Sequence, residues 1–438
     1  MEISKLYIQT FGCQMNVQDA EKMAFLMEES GYKTTDNPGE ADLIIVNTCS
    51  VREKAAHKAY SLLGRFRELK VENPHLVLGV AGCLAQQLGN NFFKMFPYLD
   101  MVVGTHQIDR LPDIACSVKS SRGRFSETEF CGYVRSLDIP AQPLAGKVSS
   151  LVTIMQGCNN FCSYCVVPFL RGREQSRPLF DIVKEVENLS LHGIKEVTLL
   201  GQNVNSYGKT LPEGVDFAEL LAAIGMIPGI KRIRFTTSHP KDLSNSLISS
   251  FGKIQSLCEH IHLPVQAGSN HVLQRMKRGY TVEGYKEKVA ALRRVSPDIS
   301  ITSDMIVGFP GEEEDDFQET LQLMREVRFD NLFSFKYSQR EGTSAVKMDR
   351  QVPEKIKRER LNILQSLQEE HTLEKNRAII GKSEEVLVEG PSRKNPGDMT
   401  GRTRSNRIVN FAGGRELVGD MVNVNIVDAF LHSLRGEL

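Results

Sequence analysis

The sequence carries no net charge: 54 Lys and Arg balance 54 Asp and Glu over 438 residues. That excludes a generally basic nucleic-acid coat protein but leaves room for a local basic patch. No apolar run approaches the ~18–20 residues that a membrane helix needs. The N-terminus, MEISKLYIQTFGCQ, lacks the charged head and apolar core of a signal peptide. A cytoplasmic protein with no membrane association is therefore expected. Cysteine is sparse, nine in the chain, an odd number and too few for a disulfide scaffold. Thiols kept reduced bind metals, react or pack in cores. What is present is ordinary for a globular chain, 41% hydrophobic and 25% charged residues. The length suits about three domains.

Residues 1–116 alternate strand and helix. LYIQT (6–10), DLIIVN (42–47), LVLGVAG (76–82) and MVVG (101–104) read as strands, and 17–30 and 51–70 as helices. The continuous apolar runs predict a parallel sheet covered on both faces, with ligands at the carboxyl ends of its strands. His57, on the long helix, is expected in the core. Residues 117–147 are polar and then rich in Pro, Ala and Gly, a linker pattern. Cys116 and Cys131 match no motif there and read as structural. Residues 148–375 alternate again, with strands at 150–155, 196–201, 232–237, 260–265, 299–308 and 332–336. Six units fall short of a full barrel, which predicts an open (βα)6 partial TIM barrel. The acidic run Glu312–Asp316 opens a helix, where negative charge complements the dipole. A charged helix over 353–376 follows. Short strands with turns fill 376–438, a small all-β barrel resembling an OB-fold. Overall the chain is expected to be α/β with a C-terminal β domain. Arg393, Lys394, Arg402, Arg404 and Arg407 stand against a single acid, Asp398, between 391 and 407. On a neutral protein that concentration leans towards RNA.

Cys158, Cys162 and Cys165 form Cys-x3-Cys-x2-Cys just after the first strand of the second α/β region. Three thiolates within eight residues bind metal through one loop, and the loop offers no fourth ligand. A structural zinc site closes with four ligands. An iron–sulfur cluster with three leaves one iron open to a substrate or cofactor. An incomplete zinc site is the competing interpretation. Cys13, Cys49 and Cys83 each stand one to three residues beyond a predicted strand end. Parallel strands place those ends on one edge, so three cysteines distant in sequence converge as a second tri-thiolate site. Gly12 and Gly82 precede two of them and admit close approach. Arg171, Arg173 and Arg177 follow the cysteine loop and read equally as phosphate contacts or as a surface strip.

TFGCQMN (10–16), NTCSVREKA (47–55), AGCLAQ (81–86), MQGCNNFCSYCVVPFLRGREQSRP (155–178), LLGQNVNSYG (199–208), HLPVQAGSNHVLQRMKRGYT (262–281), SDMIVGFPGE (303–312) and GRTRSNRIVNF (401–411) cover the chain. In these segments the sequence resembles the methylthiotransferases of the radical S-adenosylmethionine (SAM) superfamily, and within them the MiaB branch. The resemblance implies a [4Fe–4S] cluster on Cys158, Cys162 and Cys165 and an auxiliary [4Fe–4S] cluster on Cys13, Cys49 and Cys83. It implies SAM as radical source and methyl donor, held around Gly201-Gln202-Asn203, Ser238, Gln266 and the segment Ser303–Gly308. The C-terminal part resembles a TRAM domain, so tRNA is the implied partner, with contacts expected from Arg171, Arg173, Arg402, Arg404 and Arg407. The implied reaction puts a methylthio group on C2 of N6-isopentenyladenosine 37, with an electron donor supplying reduction and the chain acting as a monomer. Other readings are a methylthiotransferase for a ribosomal-protein aspartate or another tRNA adenosine, and a non-catalytic, metal-stabilised RNA-binding protein. His239 and His262 have no assigned role.

Overall fold

A computed structural model describes residues 3–50, 53–143 and 146–438. Positions 51 and 52 of the expected long helix, and 144 and 145 of the expected linker, lie outside the described residues. In chain order the elements begin with β1 (Ser4–Phe11), α1 (Gln14–Glu29), β2 (Tyr32–Thr34), β3 (Leu43–Thr48) and α2 (Glu53–Glu72). Then come β4 (Val77–Ala81), α3 (Cys83–Leu88), α4 (Asn91–Met95), β5 (Met101–Val103), α5 (Leu111–Ser121) and β6 (Phe125–Glu127). Contacts divide the chain into two compact units: residues 1–142 with 151–159 and 166–177, and residues 143–150 with 160–165 and 178–438. Most of the stretch expected as a linker, residues 117–142, falls in the first unit, and its end falls in the second.

The first unit is a six-stranded sheet, order β2-β1-β3-β4-β5-β6, parallel throughout. Ile44, Val46, Leu78, Val80 and Val102 bury one face with Leu62, Leu63 and Phe66 of α2. Leu6, Leu43, Ile45, Val77 and Met101 bury the other with Met23 and Met27 of α1 and Ile114 and Val118 of α5. Alternation within continuous apolar strands is what a doubly covered sheet requires. Each such side chain, taken from water, contributes ~1.5–3 kcal/mol. β2, mostly exposed, and β6, half-buried, are three-residue edge strands that the apolar pattern does not announce. His57 corrects the core expectation: its side chain is 72% exposed beside Glu53. The buried stripe of α2 runs through Ala55, Ala59, Leu62, Leu63 and Phe66, and His57 falls outside it. Cys116 and Cys131 are both exposed.

The chain continues with β7 (Ser149–Thr153), β8 (Met155–Gln156), α6 (Val167–Arg171), β9 (Gln175–Ser176), α7 (Leu179–Leu191), β10 (Glu196–Leu200), α8 (Phe217–Gly225), β11 (Arg232–Phe235), α9 (Asn245–Lys253) and β12 (His260–His262). After these come α10 (Asn270–Arg275), α11 (Val282–Val295), β13 (Ser300–Val307), α12 (Glu314–Val327), β14 (Asn331–Lys336) and α13 (Glu354–Arg377). Strands run in the orders β11-β10-β7 and β12-β13-β14, and their described pairs are parallel. Ile233 joins the two sets, donating to Ser256 and accepting from Cys258. The six expected strands of the open barrel are all present. Glu313 caps α12 in a reciprocal box with Asp316, and Glu314, Asp315 and Asp316 fill its first turn, which explains the acidic run.

β15 (Ser383–Pro391), β16 (Asp398–Thr403), β17 (Ile408–Ala412), β18 (Met421–Ala429) and β19 (Leu434–Glu437) close into a barrel of order β15-β16-β17-β19-β18. Val386, Val388, Met399, Val409, Phe411, Val424 and Ile426 fill it. The last strand was not apparent in the sequence, because four residues ending in Gly436 and Glu437 carry little β pattern. Among the described residues no helix is long and apolar enough to cross a membrane.

Candidate cluster and cofactor sites

In the first unit, strand register sets the level of three turns. Phe11 pairs with Thr48 and Asn47 with Ala81, so β1, β3 and β4 end together. Cys13 caps α1 just beyond β1, Cys49 follows β3, and Cys83 opens α3 beyond β4. The chain leaves β1 for β2 on one side and reaches β3 on the other, and ligands sit at such a switch point. The three cysteine-bearing turns thus stand on one edge of the sheet. The thiols of Cys13 and Cys49 are hydrogen-bonded to each other.

Two buried amides fasten these turns. Asn16 Nδ2 donates to Asn47 Oδ1 at 3.3 Å, and Asn47 Nδ2 donates to the Asn16 carbonyl at 2.7 Å. The Cys13 N–H donates to Asn16 Oδ1. Gly82, with φ +89°, closes the third turn over the pair. A Cβ there would stand 2.4 Å from Asn47 Oδ1 and 2.9 Å from the Thr48 carbonyl. The sequence displays Asn16 and Asn47 within its motifs but gives no sign that they meet.

Arg171 is 2% exposed, so it presents no guanidinium at the surface. It forms a two-pronged pair with Asp19, Nη2–Oδ2 2.5 Å and Nη1–Oδ1 3.3 Å, and its Nε donates to Cys83 Sγ at 3.4 Å. Cys13 is pulled down to about 5 by the Cys49 hydrogen bond, against burial and with help from Arg171. Burial pushes the Cys83 thiol up, and Arg171 opposes the rise. The preformed thiolate at Cys13 suits a metal ligand. The hydroxyl of Thr48, next to Cys49, is buried without a hydrogen-bond partner. Among the described residues no three His, Cys, Asp or Glu side chains close around a single-ion position. The donor set, thiols on three neighbouring turns with Cys13 drawn down and an unmatched hydroxyl beside Cys49, is one that suits an iron–sulfur cluster.

The Cys-x3-Cys-x2-Cys loop spans the division of units. Cys158 lies in the first, where its N–H donates to the Gly172 carbonyl at 3.2 Å. Gly157 before it, φ +83°, has the Arg173 carbonyl 2.1 Å from where a Cβ would be. Arg173 is exposed and Arg177 is buried, donating to the Thr153 carbonyl. Cys162 and Cys165 lie in the second unit. There Ser163 binds the end of α10, donating to the Met276 and Arg275 carbonyls. Cys162 accepts from Arg278 Nη1 at 3.4 Å and lies 3.9 Å from His239 Nε2. Burial, reinforced by Arg278, pushes His239 down to about 2, so the ring is neutral beside the thiol.

The loops after β10 and β11 carry buried polar atoms with no hydrogen-bond partner: Asn203 Oδ1, Asn205 Oδ1 and Ser238 Oγ. Buried polar groups are seldom left so, and here they fit a polar ligand at the strand ends. Thr237 and Gln266 hold φ of +69° and +76°, conformations that side-chain-bearing residues seldom adopt outside functional turns. Gln202, in the loop after β10, is half-buried. Ser303 differs: fully buried, it accepts from Val265 N–H and donates to the Leu263 carbonyl, bracing β13 against the segment after β12. His262 bridges Thr302 and Asp304. Of these residues Asn205 and Arg278 escaped sequence reasoning, because nothing local marks a buried amide or guanidinium.

Arg404 and Arg407 meet acids far away in sequence, while Arg402 pairs with an acid on the adjacent strand β15. Arg404 binds both oxygens of Glu259 at 2.7 and 2.8 Å, Arg407 binds Asp330 at 2.7 Å, and Arg402 binds Glu389 at 3.0 Å. Arg232 and Arg234 of β11 donate in return to the carbonyls of Arg402, Thr403 and Arg404. Arg393 and Lys394 are exposed.

Residues 5–104 match the family model described as uncharacterized protein family UPF0004, residues 152–324 the radical SAM superfamily, and residues 377–438 the TRAM domain. A tRNA-2-methylthio-N(6)-dimethylallyladenosine synthase from Syntrophus aciditrophicus is 59% identical over 433 residues, covering 99% of this chain and 94% of the relative. One of the same name from Geobacter metallireducens is 52% identical, with 99% and 98% covered. Among solved structures, a radical S-adenosylmethionine methyltransferase, TsrM, from Kitasatospora setae has a TM-score of 0.56 at 14% identity, covering 79% of this chain and 77% of that one. At that identity the likeness is one of fold.

Proposed function

The chain belongs to the tRNA-2-methylthio-N(6)-dimethylallyladenosine synthases, a family of radical SAM methylthiotransferases, and we propose that it places a methylthio group on C2 of N6-isopentenyladenosine 37 of tRNA. The observation that carries this reading is the meeting of Cys13, Cys49 and Cys83 at a sheet switch point in a chain that also has Cys158, Cys162 and Cys165 on a barrel loop. The cofactors are SAM and two [4Fe–4S] clusters. They supply radical chemistry for a C–H bond that no side chain can deprotonate.

The chain's own residues position and shield. In our reading the six cysteines hold the two clusters, one on each triad. Asn16, Asn47 and Gly82 fix the three strand-end turns so that their thiols converge before any group binds. Such preorganisation spares the site a rearrangement on loading. Asn203, Asn205, Ser238, Gln202 and Gln266 are proposed to take the polar groups of SAM at the barrel strand ends, with Ser303 as a brace behind them. Neutral His239, 3.9 Å from Cys162, is proposed to keep water from that thiol.

For tRNA, the exposed Arg173, Arg393 and Lys394 are the side chains proposed to reach phosphate. Arg404 and Arg407 are proposed to act by holding the TRAM barrel on the partial barrel, Arg402 by pairing with Glu389 inside the TRAM barrel, and Arg171 by serving the auxiliary cysteines. The functional division is taken at 1–116, 117–147, 148–375 and 376–438. A cytoplasmic monomer that receives electrons from an external donor completes the proposal.

The reading is tested on the anaerobically reconstituted chain, with SAM, sulfide, a reductant and tRNA bearing isopentenyladenosine. Mass spectrometry of the nucleosides should show the 2-methylthio derivative. SAM cleavage to 5′-deoxyadenosine without that product would move the substrate elsewhere. A full iron load with neither would contradict the catalytic reading.

A further inference from the structure

Each cysteine triad has one sulfur facing a buried arginine. In the first unit Arg171 Nε stands 3.4 Å from Cys83 Sγ. In the second, Arg278 Nη1 stands 3.4 Å from Cys162 Sγ. Neither arginine is needed to complete a ligand set, and both are held by other partners. Arg171 is pinned by the two oxygens of Asp19 and by Gln156 Oε1. Arg278 is pinned by the Pro264 carbonyl at 2.7 Å and the Tyr280 hydroxyl at 2.9 Å, with the Tyr164 hydroxyl at 3.4 Å. A buried guanidinium is costly unless its donors are used. Its proton is not lost at any working pH, so these are permanent donors.

Hydrogen bonds to sulfur, net charge and solvent exposure set the potential of an iron–sulfur cluster. A fixed positive donor favours the more negative, reduced state. We propose that Arg171 and Arg278 are positioning residues that donate to one ligand sulfur of each cluster, Cys83 and Cys162, and hold its reduction potential above that of the bare tri-thiolate site. The proposal rests on the two triads binding clusters. The two arginines act with unequal strength. Asp19 cancels most of the Arg171 charge and leaves chiefly a directed hydrogen bond. Arg278 has neutral oxygens for its other partners and delivers hydrogen bond and charge together.

The test uses the full chain with one triad changed to Ala at a time, so that a single cluster is titrated. Iron and sulfide are counted first, and a wild-type triad without iron would contradict the proposed function rather than this step. Reductive titration followed by EPR then reads the potential. Arg278→Met is expected to shift the reduction equilibrium tenfold or more towards the oxidised state, ~59 mV for one electron. Arg171→Met should shift it less than tenfold in the same direction, and Arg278→Lys should recover part of the change. An unchanged potential in an iron-loaded Arg278→Met chain overturns the proposal. Should the Met variants lose iron, wild-type chain labelled with 15N-arginine decides: pulsed EPR of each reduced cluster should show coupling to a guanidinium nitrogen, and its absence overturns the proposal.

Discussion

The two cysteine triads arise by opposite routes. Cys158, Cys162 and Cys165 fall within eight residues of one loop, so local sequence brings them together. Cys13, Cys49 and Cys83 come from turns some thirty-five residues apart and depend on sheet register, two interlocked amides and a glycine. The first triad is a motif, and the second is a property of the folded sheet. A site of the second kind is lost whenever the sheet edge is disturbed, even with every ligand intact.

That contrast can be broken most severely at Gly82. Gly82→Ala puts a methyl group into Asn47 and the Thr48 carbonyl at a positive φ. Strain of this kind costs about 1–3 kcal/mol. We expect the auxiliary site to lose its iron while the loop triad keeps its own, measured as a fall to about half the iron per chain with a lower melting temperature. Equal loss from both sites would show that the triads are not independent.

A smaller effect separates holding from binding in the TRAM barrel. Arg404→Ala removes a two-pronged pair and leaves Glu259 without its cation. Partial exposure limits the loss to about 1–2 kcal/mol, read in chemical denaturation. Arg393→Ala with Lys394→Ala should leave stability unchanged, weaken tRNA binding and lower the salt slope by about 1 per lost contact. The opposite pattern would return Arg404 to the RNA face.

The smallest effect concerns the metal-free chain. Cys13, drawn down to about 5, stays a thiolate at pH 6–7 and should be alkylated there, slowing only as pH falls through about 5. Cys258, buried and pushed up to about 11, should stay unreactive over that range. Peptide mass spectrometry after timed iodoacetamide treatment distinguishes them. Equal slow labelling would contradict the Cys49–Arg171 influence on Cys13.

Much of the fold was legible because its strands are continuous apolar runs that end in Gly-Cys or Asn-Thr-Cys. The loop triad was readable from its spacing alone, and the second because a cysteine's place relative to a strand end survives without coordinates. Burial was not readable. Arg171 looks like a phosphate ligand until the fold shows it beneath the surface between Asp19 and Cys83. Arg404 and Arg407 look like part of a patch because their acids, Glu259 and Asp330, arrive from distant segments, and Arg402 pairs with Glu389 across two adjacent strands. Ser303 follows a barrel strand pattern, yet backbone groups of neighbouring residues use both its donor and its acceptor. His57 sits on an amphipathic helix, on its wet side.

The central claim is that the two triads do separate work on one tRNA adenosine. Two variants of the full chain test it directly, one with Cys158, Cys162 and Cys165 changed to Ala, the other with Cys13, Cys49 and Cys83 changed to Ala. The account predicts that the first forms neither 5′-deoxyadenosine nor methylthio nucleoside, and that the second still forms 5′-deoxyadenosine but no methylthio nucleoside. Methylthio product from the second variant would contradict it.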